Sequence, residues 1–471
     1  MLKKVLIANR GEIAVRIVRA CAEMGIRSVA IYTEPDRYGL HVKRADEAYS
    51  LGEDALAGYL DPLRLVNLAV ETGCDAIHPG YGFLSENAEF ARLCEEKGVT
   101  FIGPKSAVIH GMGDKTQARD SMRGAGVPVT PGSDGNLANV DEALELAETV
   151  GYPVMIKATS GGGGRGIRRC DSAEELIQQY PRVISEATKA FGSADVFLEK
   201  CIVNPRHIEV QILADSHGNV IHLYERDCSI QRRNQKLIEI APSPQLTPEQ
   251  REYVGNLAVK AAAAVGYENA GTVEFLLSGN KVYFMEMNTR VQVEHTITEQ
   301  ITGVDIVREQ LRIAAGLPLS YRQEDISYRG FALQFRINAE DPKNDFLPSF
   351  GRITHYYAPG GPGVRVDTAI YTGYDIPPYY DSMCLKLICW ALTWEEVIAR
   401  GKRALDDMRL RGVKTTAPYY QQILSHPDFE KAVFDTSFVP SHPELLNYSE
   451  KRHPSEIALA LAAAIAAHMA A

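Results

Sequence analysis

The sequence lacks several features that would place it in a specialised class of proteins. Its eight cysteines include no CxxC pair, which argues against a zinc or disulfide framework and fits a reducing cytoplasm. We expect no signal peptide, because the first residues lead directly into a predicted strand, and no apolar run is long enough to span a bilayer. Positive charge is not in excess, since the net charge is −10. We therefore expect a cytoplasmic protein that binds neither membranes nor nucleic acids, with any phosphate site confined to a local basic pocket.

A nicotinamide-binding motif is missing from the N-terminal region. The loops Asn9–Glu12 and His78–Gly82 follow predicted strands, but neither contains GxGxxG. Apolar runs nevertheless alternate with amphipathic segments, which predicts a doubly wound α/β domain. The predicted elements are strand Lys3–Ala8, helix Glu12–Gly25, strand Ser28–Thr33, helix Pro62–Thr72, strand Asp75–His78, helix Ala88–Lys97 and strand Thr100–Gly103. Because ligands of such sheets bind beyond the carboxyl ends of the strands, both loops are candidates for a binding site.

The stretch Glu286–His295 (EMNTRVQVEH) carries acids, amides, a guanidinium and an imidazole directly after an apolar strand, Lys281–Met285. A second predicted strand, Gly271–Leu277, has a lone acid, Glu274, in its middle. Pairing the two strands as a hairpin would place Glu274 and Glu286 on one face. Oxygen ligands of this kind suit Mg²⁺ held together with nucleotide phosphates. The alternative is a pair of strand acids held in salt bridges.

The glycine run Thr159–Gly166 (TSGGGGRG) formally matches GxGxxG at Gly161, Gly163 and Gly166. A Rossmann fingerprint should open into a helix, whereas Ile167–Cys170 is predicted to be a returning strand, so the glycines would form the tip of a hairpin. No Gly-Lys-Ser/Thr follows, which excludes a Walker A loop. A flexible turn remains an alternative. Lys157, at the end of the preceding strand, favours a loop that covers a phosphate.

The remaining chain predicts a connector and then mixed α+β structure. Residues Gly103–Gly132 are interpreted as the connector, built around one short helix. The elements predicted after it are helix Val140–Val150, strand Pro153–Ala158, helix Ser172–Lys189, strands Val196–Glu199, His207–Asp215 and Val220–Arg226, helix Asp305–Ala315, strands Phe331–Asn338 and Leu385–Ala391, and helix Glu395–Met408. The basic run Arg226–Lys236 is either a solvated edge or, since it lies between apolar strands, a functional segment.

Four motifs together resemble the biotin carboxylase family of ATP-grasp enzymes. They are Glu286–His295, Lys157 with Gly161–Gly166, Arg226–Lys236, and His78–Asn87 (HPGYGFLSEN), in the order and spacing of that family. The resemblance extends from Ile7 to about Leu446. It implies that ATP and bicarbonate form carboxyphosphate, which then carboxylates biotin held on a carrier.

The resemblance also implies a fold with both α/β and α+β parts. These would be a Rossmann-like N-terminal domain, an ATP-grasp fold with a glycine-rich lid, and a C-terminal mixed α+β domain. The expected boundaries are 1–113 for the N-terminal domain, 114–130 for a linker, 131–203 for the lid, 204–333 for the central ATP-grasp domain, 334–447 for the C-terminal domain and 448–471 for a helical tail.

Site residues follow from the same resemblance. ATP would be bound by Lys115, Lys157, Gly161, Gly162, Gly163, Gly164, Gly166, Glu199, Lys200, Ile202, His207, Gln231 and Leu276. The metal, Mg²⁺ or Mn²⁺, would be held by Glu274, Glu286 and Asn288. Bicarbonate would be bound by Lys236, Arg290, Gln292 and Val293, with Glu294 as its base and Arg336 stabilising the enolate-like biotin ring. Tyr81 and Gly82 would approach biotin, and Arg290 and Lys236 would keep Glu294 ionised.

Three positions depart from the family pattern. Asn234 stands where the family often has histidine, and Thr296 and Ile297 stand where proline and valine are common. None of the three has a role in the chemistry that the resemblance implies.

The resemblance implies a separate subunit that acts on a carrier and a carboxyltransferase elsewhere. No methionine is followed by lysine, so the usual biotinylation motif is absent, and we expect the chain to be too short for a transferase domain. A homodimer is expected. The sequence is most similar to the biotin carboxylase subunits of two-subunit pyruvate carboxylases, then to those of acetyl-CoA carboxylase and 2-oxoglutarate carboxylase.

Two other classes of function remain open. One is a non-catalytic ATP-binding regulator that retains the fold. The other is a different ATP-grasp ligase, such as a carbamoyl-phosphate or amino-acid ligase, which would not require Arg290–Glu294 together with Arg336. Bicarbonate-dependent ADP release that rises with free biotin would distinguish the carboxylase from both.

The tail that begins at Pro454 (PSEIALALAAAIAAHMAA) has nine alanines among eighteen residues and predicts a helix. Ile457, Leu461, Ile465 and either His468 or Met469 would lie on one face, which predicts a contact surface. At about 1.5 Å per residue, it is too short to span a bilayer. It would pack either on its own catalytic domain or on the partner subunit.

Overall fold

The computed structural model describes residues 1–159, 166–449 and 454–470. Its N-terminal part is a five-stranded parallel sheet in the order β3-β2-β1-β4-β5 with helices packed on it. The elements are β1 (Lys4–Ile7), α1 (Gly11–Glu23), β2 (Arg27–Tyr32), α2 (Leu40–Arg44), β3 (Glu47–Ser50), α3 (Pro62–Glu71), β4 (Ala76–His78), α4 (Ala88–Lys97) and β5 (Thr100–Phe101). The predicted Rossmann-like organisation is therefore confirmed.

The two predicted binding loops meet where the strand order reverses, between β1 and β4. The Asn9 side-chain amide donates to the carbonyl oxygens of Pro79 and Tyr81, both at 2.8 Å. The adjacent Gly80 has a φ of +63°, and a Cβ there would lie 2.8 Å from the Asn9 amide nitrogen, so this close approach requires glycine. The two candidate loops are therefore in direct contact at the carboxyl ends of β1 and β4, and their role in binding stays a prediction.

The connector contains two helices rather than the predicted one. These are α5 (Ser106–Gly113) and α6 (Lys115–Gly124). Asp114 separates them and caps α6, since its carboxylate accepts from the backbone N–H groups of Thr116 and Gln117. Met112 and Met122 anchor the two helices in the apolar core. The prediction of one helix was wrong because the glycines around Asp114 were interpreted as a turn, so its capping role was not recognised.

A small antiparallel sheet with strand order β7-β6-β8 follows. Its elements are α7 (Val140–Val150), β6 (Val154–Ala158), β7 (Ile167–Cys170), α8 (Ala173–Phe191) and β8 (Val196–Lys200). The pairing of β6 with β7 confirms the hairpin, with Lys157 opposite Ile167. Gly161–Gly164 lie outside the described residues, whereas Gly166 is described and accepts a hydrogen bond from Ala158 N (2.9 Å).

The central region consists mainly of long antiparallel strands. Its elements are β9 (Arg206–Ala214), β10 (Val220–Arg232), β11 (Gln235–Ala241), α9 (Pro248–Ala264), β12 (Asn269–Ser278), β13 (Lys281–Asn288), α10 (His295–Thr302) and α11 (Ile306–Ala314). The predicted end of β10 at Arg226 was wrong, because the strand continues for six residues that are mostly buried. The basic run is therefore a hairpin, turning at Arg233 and Asn234 with φ of +48° and +65°. Asparagine suits this left-handed position.

The C-terminal region adds further strands and a helical layer. Its elements are β14 (Phe331–Asn338), β15 (Glu340–Asp341), β16 (Leu347–Pro348), β17 (Gly351–Arg352), β18 (His355–Tyr357), β19 (Val364–Thr368), β20 (Asp375–Ile376), β21 (Met383–Ala391), α12 (Trp394–Asp407), β22 (Arg409–Arg411), α13 (Ala417–Leu424), α14 (Pro427–Glu430) and α15 (Phe438–Ser441). One eight-stranded sheet unites both regions in the order β13-β12-β9-β10-β11-β14-β21-β19. Strands on both sides of residue 333, the expected boundary between the central and C-terminal domains, thus share one sheet. The exact positions of the domain boundaries stay predictions.

The tail forms helix α16 (Pro454–Ala470), as predicted. Its apolar side chains are exposed, from 58% for Leu461 to 82% for Met469, and Leu459 is 73% exposed. These side chains therefore do not pack on the catalytic domain, which was one of the two alternatives. The side chain of Ile457, predicted on the same face, lies outside the described residues. Among the described residues, no helix is both long and apolar enough to cross a bilayer.

Candidate functional site

The two predicted metal acids lie opposite each other in the hairpin of β12 and β13. Glu274 is the direct cross-strand partner of Glu286, so their side chains share a face, as the sequence predicted. Burial, and then the charge of Glu274, raises the pKa of the Glu286 carboxyl. Within the described part of the chain, no hydrogen-bond donor reaches the Glu286 carboxylate. The pair therefore presents a concentrated negative charge that a cation would stabilise.

Glu274 is surrounded by four other predicted site residues. Its Oε1 accepts from Asn288 Nδ2 (2.7 Å), Gln292 Nε2 (2.7 Å) and Lys236 Nζ (3.1 Å), and its Oε2 lies 2.6 Å from His207 Nε2. Burial alone would raise the pKa of Glu274, but the charges of Lys236 and His207 outweigh burial and hold this pKa well below its ordinary value. Glu274 is therefore ionised near neutral pH.

Lys236 links the metal acids to the predicted base. Its ammonium group donates to Glu209 (2.5 Å), Glu294 (2.7 Å) and Glu274 (3.1 Å). Arg336 donates to the other oxygen of Glu294 (3.0 Å) and to Glu239 (2.5 Å). Because Lys236 is on β11 and Arg336 is on the adjacent β14, the sheet fixes both cations on either side of Glu294.

Glu294 was predicted to be kept ionised by Lys236 and Arg290, and the structure confirms Lys236 but not Arg290 among the main causes. Burial raises its pKa, but Lys236, Arg336 and Arg226 lower it further, so that the net pKa is depressed. Arg290 was expected to act beside Lys236. Instead, its side chain donates to Glu86 (2.9 Å) and to the Asn288 side-chain oxygen (2.9 Å), and Arg336 provides the second hydrogen bond to Glu294.

Arg226 has a role that the sequence did not reveal. Its side chain is fully buried and uses all of its donor directions, contacting Glu209 (2.5 Å), Gln292 (2.6 Å), Gln211 (2.8 Å), Thr298 (3.0 Å) and Thr272 (3.1 Å). It thereby supports Lys236 indirectly through Glu209. A period-two pattern of polar residues on β9, namely His207, Glu209 and Gln211, was the available signal for this buried network.

Lys386 and Glu12 connect Val293 with Tyr81, a residue predicted to approach biotin. Neither was predicted from the sequence to be a site residue. Lys386, fully buried, donates to the carbonyl oxygen of Val293 (3.1 Å) and pairs with Glu12 (3.0 Å). Glu12 in turn accepts a hydrogen bond from the Tyr81 hydroxyl. The doubly wound domain is thus connected to the strands of the central sheet. Gly82, with a φ of +67°, has open space where a Cβ would project.

A second group of charges lies at the small sheet. Lys157 and Arg119 both pair with Glu199, Arg119 at 2.7 Å. Lys115 begins α6, and burial is the main cause of its lowered pKa. The charges of Glu286, Lys157 and Glu199 also act on Lys115, so Lys115 lies near both the metal acid Glu286 and the ion pair of Lys157 with Glu199. Arg119 was not identified from the sequence.

The remaining predicted nucleotide residues lie on the central sheet and on or just after β8 of the small sheet. Leu276 pairs with His207 across β12 and β9, and Gln231 pairs with Lys236 across β10 and β11. The Lys200 ammonium group donates to the carbonyl oxygens of Gly151 and Tyr152, both at 2.8 Å. Its charged end therefore faces the small domain's backbone. Ile202 is half-buried just after β8.

Comparison with known families matches nearly the whole chain. Residues 1–109 match the family "Biotin carboxylase, N-terminal domain", residues 114–322 match "Carbamoyl-phosphate synthase L chain, ATP binding domain", and residues 334–441 match "Biotin carboxylase C-terminal domain".

Individual relatives agree. The chain is 56% identical to the 2-oxoglutarate carboxylase small subunit of Hydrogenobacter thermophilus (99% of both chains) and 55% identical to biotin carboxylase 1 of Bacillus subtilis (94% of this chain, 99% of the relative). It is 53% identical to a pyruvate carboxylase subunit of Methanothermobacter thermautotrophicus (94% of this chain, 90% of the relative).

A solved structure of a relative has a similar level of sequence identity and the same fold. The biotin carboxylase domain dimer of H. thermophilus 2-oxoglutarate carboxylase, in complex with MgADP, ADP and bicarbonate, superposes with a TM-score of 0.93. It is 57% identical, and the match covers 96% of this chain and all of that one. The profiles, the relatives and the superposition agree, and they show that this chain belongs to the biotin carboxylase family of ATP-grasp, ATP-dependent carboxylase ligases.

Proposed function

We propose that this chain carboxylates biotin on a carrier, using ATP and bicarbonate through carboxyphosphate. The observation that carries the proposal is the contact of the Lys236 ammonium group with Glu209, Glu274 and Glu294, joined by Arg336 on Glu294. One cluster thereby connects the acids suited to a metal with a base and with the cation expected to face biotin. The test is ADP release by the purified chain, which should require bicarbonate and rise with free biotin. An ATPase indifferent to biotin would contradict the proposal.

Mg²⁺ or Mn²⁺ fits between Glu274 and Glu286, with Asn288 beside them. The fit rests on the position of Glu286, a half-buried carboxylate directly across the hairpin from a second acid, and on its raised pKa. The ion would neutralise the phosphate charge that builds up during phosphoryl transfer. His207 and Lys236 also contact Glu274 and partly offset the negative charge of this acid pair.

The nucleotide is proposed to bind in the cleft between the small sheet and the hairpin of metal acids. Lys115 and Lys157 would contact its phosphates, with the backbone of Gly161–Gly166 closing over them. The other proposed contacts are Glu199, Lys200, Ile202, His207, Gln231 and Leu276. Lys157 would exchange its partner Glu199 for phosphate, while Arg119 would continue to balance the charge of Glu199.

Bicarbonate is proposed to bind beside Lys236, Arg290, Gln292 and the Val293 backbone. Arg290 suits this task because a planar guanidinium matches two oxygens of a planar anion. Glu294 would accept the bicarbonate proton. Lys236, Arg336 and Arg226 lower the pKa of Glu294 and so weaken it as a base, and bicarbonate would strengthen it by drawing Lys236 away. Arg336, on the opposite side of Glu294, would then stabilise the biotin enolate, close to Tyr81 and Gly82.

Replacing Glu286 with glutamine tests the metal site. The substitution keeps the size of the side chain and removes one oxygen anion, so we expect the Mg²⁺ concentration for half-maximal activity to rise by about 10- to 100-fold. Thermal stability should change little, because the half-buried Glu286 carboxylate accepts no hydrogen bond among the described residues. The measurement is activity against Mg²⁺ at fixed ATP, with the exposed Glu249→Gln as control. An unchanged Mg²⁺ requirement would support two structural strand acids instead.

We further propose that the final acceptor is a 2-oxo acid, with pyruvate as the first candidate. The relatives at 56% and 53% identity include subunits of 2-oxoglutarate and pyruvate carboxylases. 2-Oxoglutarate is the second candidate because that relative is matched across 99% of this chain, which includes most of the tail. Acetyl-CoA remains the third. Purifying the complex and supplying each acceptor with ATP and labelled bicarbonate would distinguish them by which one is labelled.

The proposed assembly is a homodimer in the cytoplasm that works with a biotin carrier and a carboxyltransferase subunit. The homologous structure from H. thermophilus is a dimer. All eight cysteines are free, as expected in a reducing compartment.

Helix α16 is proposed to dock on the partner subunit. Its exposed Leu461, Ile465 and Met469 recur every four residues and form one apolar row. Deleting residues 451–471 should leave free-biotin carboxylation intact, lower co-purification of the partner, and reduce coupled carboxylation at least about tenfold if a contact worth about 1.4 kcal/mol is lost. Ile465→Glu should have the same effect, whereas Ala463→Glu, with the same charge on the same helix, should have less. An intact complex after deletion would contradict docking.

A further inference from the structure

A cluster of two histidines and two carboxylates lies in the C-terminal region and shares no residue with the site described above. His426 precedes α14, Asp428 is in the first turn of α14, His442 follows α15, and Glu444 lies in the 3₁₀ turn Pro443–Leu446. The two imidazole rings are 4.1 Å apart between centroids. Buried Phe429, Phe438 and Leu445 hold these short elements against the domain core. The cluster is therefore built on packed structure.

The two carboxylates occupy different sides of the histidine pair. Asp428 Oδ2 lies 3.6 Å from His442 Nε2 and 4.0 Å from His426 Nδ1. Glu444 Oε1 lies 2.7 Å from the other nitrogen of His442 and 3.5 Å from that of His426. One imidazole nitrogen from each ring thus faces Asp428, and the opposite nitrogen of each faces Glu444.

This division matches the way proteins hold zinc. In a tetrahedral site with bonds of about 2.0–2.1 Å, ligand atoms are about 3.4 Å apart, close to the 3.6 and 4.0 Å distances from Asp428. A ligating histidine almost always donates its second ring N–H to a carboxylate, which is the position of Glu444. One ligand atom from each of His426, Asp428 and His442 lies within 4.8 Å of the others.

We propose that these residues form a binding site for a divalent transition-metal ion of the zinc class. His426 Nδ1, Asp428 Oδ2 and His442 Nε2 are the ligands, and Glu444 orients both rings. The two imidazoles favour such an ion over Mg²⁺ or Ca²⁺, which prefer oxygen ligands. The side chains of His426 and His442 are 17% and 21% accessible, so an ion can enter, and water would complete its coordination. The ion would replace the Asp428 N–H as the partner of His426 Nδ1 (3.2 Å).

The consequence of binding would be structural. The three ligands come from segments before α14, inside it and after α15, so one ion would join them immediately before the chain continues towards α16. An ion that binds only the folded form stabilises it in proportion to the logarithm of its concentration. We therefore expect zinc to raise the unfolding temperature of the C-terminal region without altering turnover of free biotin.

The test is zinc binding by the full-length protein after chelator treatment, with excess MgADP present to occupy the catalytic nucleotide site. Isothermal titration calorimetry and thermal unfolding would compare the wild type with His442→Gln, and His355→Gln, an exposed histidine elsewhere in the same region, is the matched control. We expect His442→Gln to lose one zinc equivalent and the zinc-dependent rise in unfolding temperature. The His355→Gln variant should keep both.

Two additional variants separate ligation from packing, because His442 also packs on the Phe438 ring at 4.8 Å between centroids. Asp428→Asn leaves that packing intact and should weaken zinc binding strongly. Glu444→Gln should keep the stoichiometry and lower the affinity about 10- to 100-fold, as expected for a residue that orients a ligand. Equal zinc stoichiometry in the wild type, His442→Gln and Asp428→Asn, or no zinc bound by the wild type, would overturn the proposal. Unchanged free-biotin turnover would verify that the variants are folded.

Discussion

Replacing Glu294 with glutamine is expected to reduce biotin-dependent turnover by about 10²- to 10⁴-fold, the range typical for loss of a general base. The carboxylate is ionised because Lys236, Arg336 and Arg226 lower its pKa against the effect of burial. Glutamine has nearly the same shape but cannot accept the bicarbonate proton. ADP should still bind with its normal affinity, since the proposed nucleotide residues lie at the small sheet and at the hairpin of β12 and β13. Steady-state kinetics and nucleotide titration check the two halves of this prediction.

A matched control is Glu252→Gln, which removes a carboxylate from the exposed face of α9. This variant should behave as the wild type in both measurements. Retention of most biotin-dependent turnover by Glu294→Gln would show that another group removes the proton. A parallel loss of nucleotide affinity would instead indicate a structural role, because Glu294 also holds Lys236 and Arg336 in place.

Replacing Arg226 with methionine should cause the largest loss of stability, about 3–5 kcal/mol, the range for breaking a buried ion pair from one side. Methionine has a similar length but leaves Glu209 with only Lys236 as a charged partner, and it leaves Gln211, Gln292, Thr272 and Thr298 without their donor. We expect the midpoint of urea unfolding to fall clearly. The only two tryptophans, Trp390 and Trp394, adjoin the eight-stranded sheet and provide the fluorescence signal.

The control for this measurement is Arg123→Met on the surface of α6. Arg123 pairs with Asp120 (3.2 Å) and Asp134 (2.8 Å), but its side chain is 44% accessible, so its loss should cost less than about 1 kcal/mol. If Arg226→Met and Arg123→Met unfold at the same urea concentration, the buried network does not hold the sheet together.

Local structure could be predicted from the sequence where the signal was local. Helix α4 was predicted with its bounds, because Asn87 caps its start and Gly98, with a φ of +69°, ends it. The facing positions of Glu274 and Glu286 followed from two strands joined by a short turn. By contrast, Asp114 was not recognised as a cap, and one helix was predicted where two exist. Caps that lie among glycines are easily mistaken for turns.

The candidate site was predictable in its residue types but not in its pairings. Arg226 was interpreted as part of a basic run because its partners Glu209, Gln211 and Thr298 are distant in sequence. Lys386 and Glu12 were not predicted either, because they are distant in sequence and meet only when β21 lies against the N-terminal domain. Charge alone indicates a solvated surface, and only the folded sheet reveals which charges face each other in its interior.

The eight-stranded sheet also limits how this protein could be divided or recombined. β11 and β14 are neighbours in it, yet 89 residues of chain separate the end of one from the start of the other, as Ala241 and Phe331 show. Four consecutive residue pairs join the two strands, and two of them, Ile238 with Phe335 and Glu239 with Gln334, cross the expected boundary after residue 333. A fragment that ended there would expose a long unpaired strand edge, a known template for aggregation. Chimeras with related carboxylases should therefore exchange the small sheet or the tail, and keep residues 206–391 from a single parent.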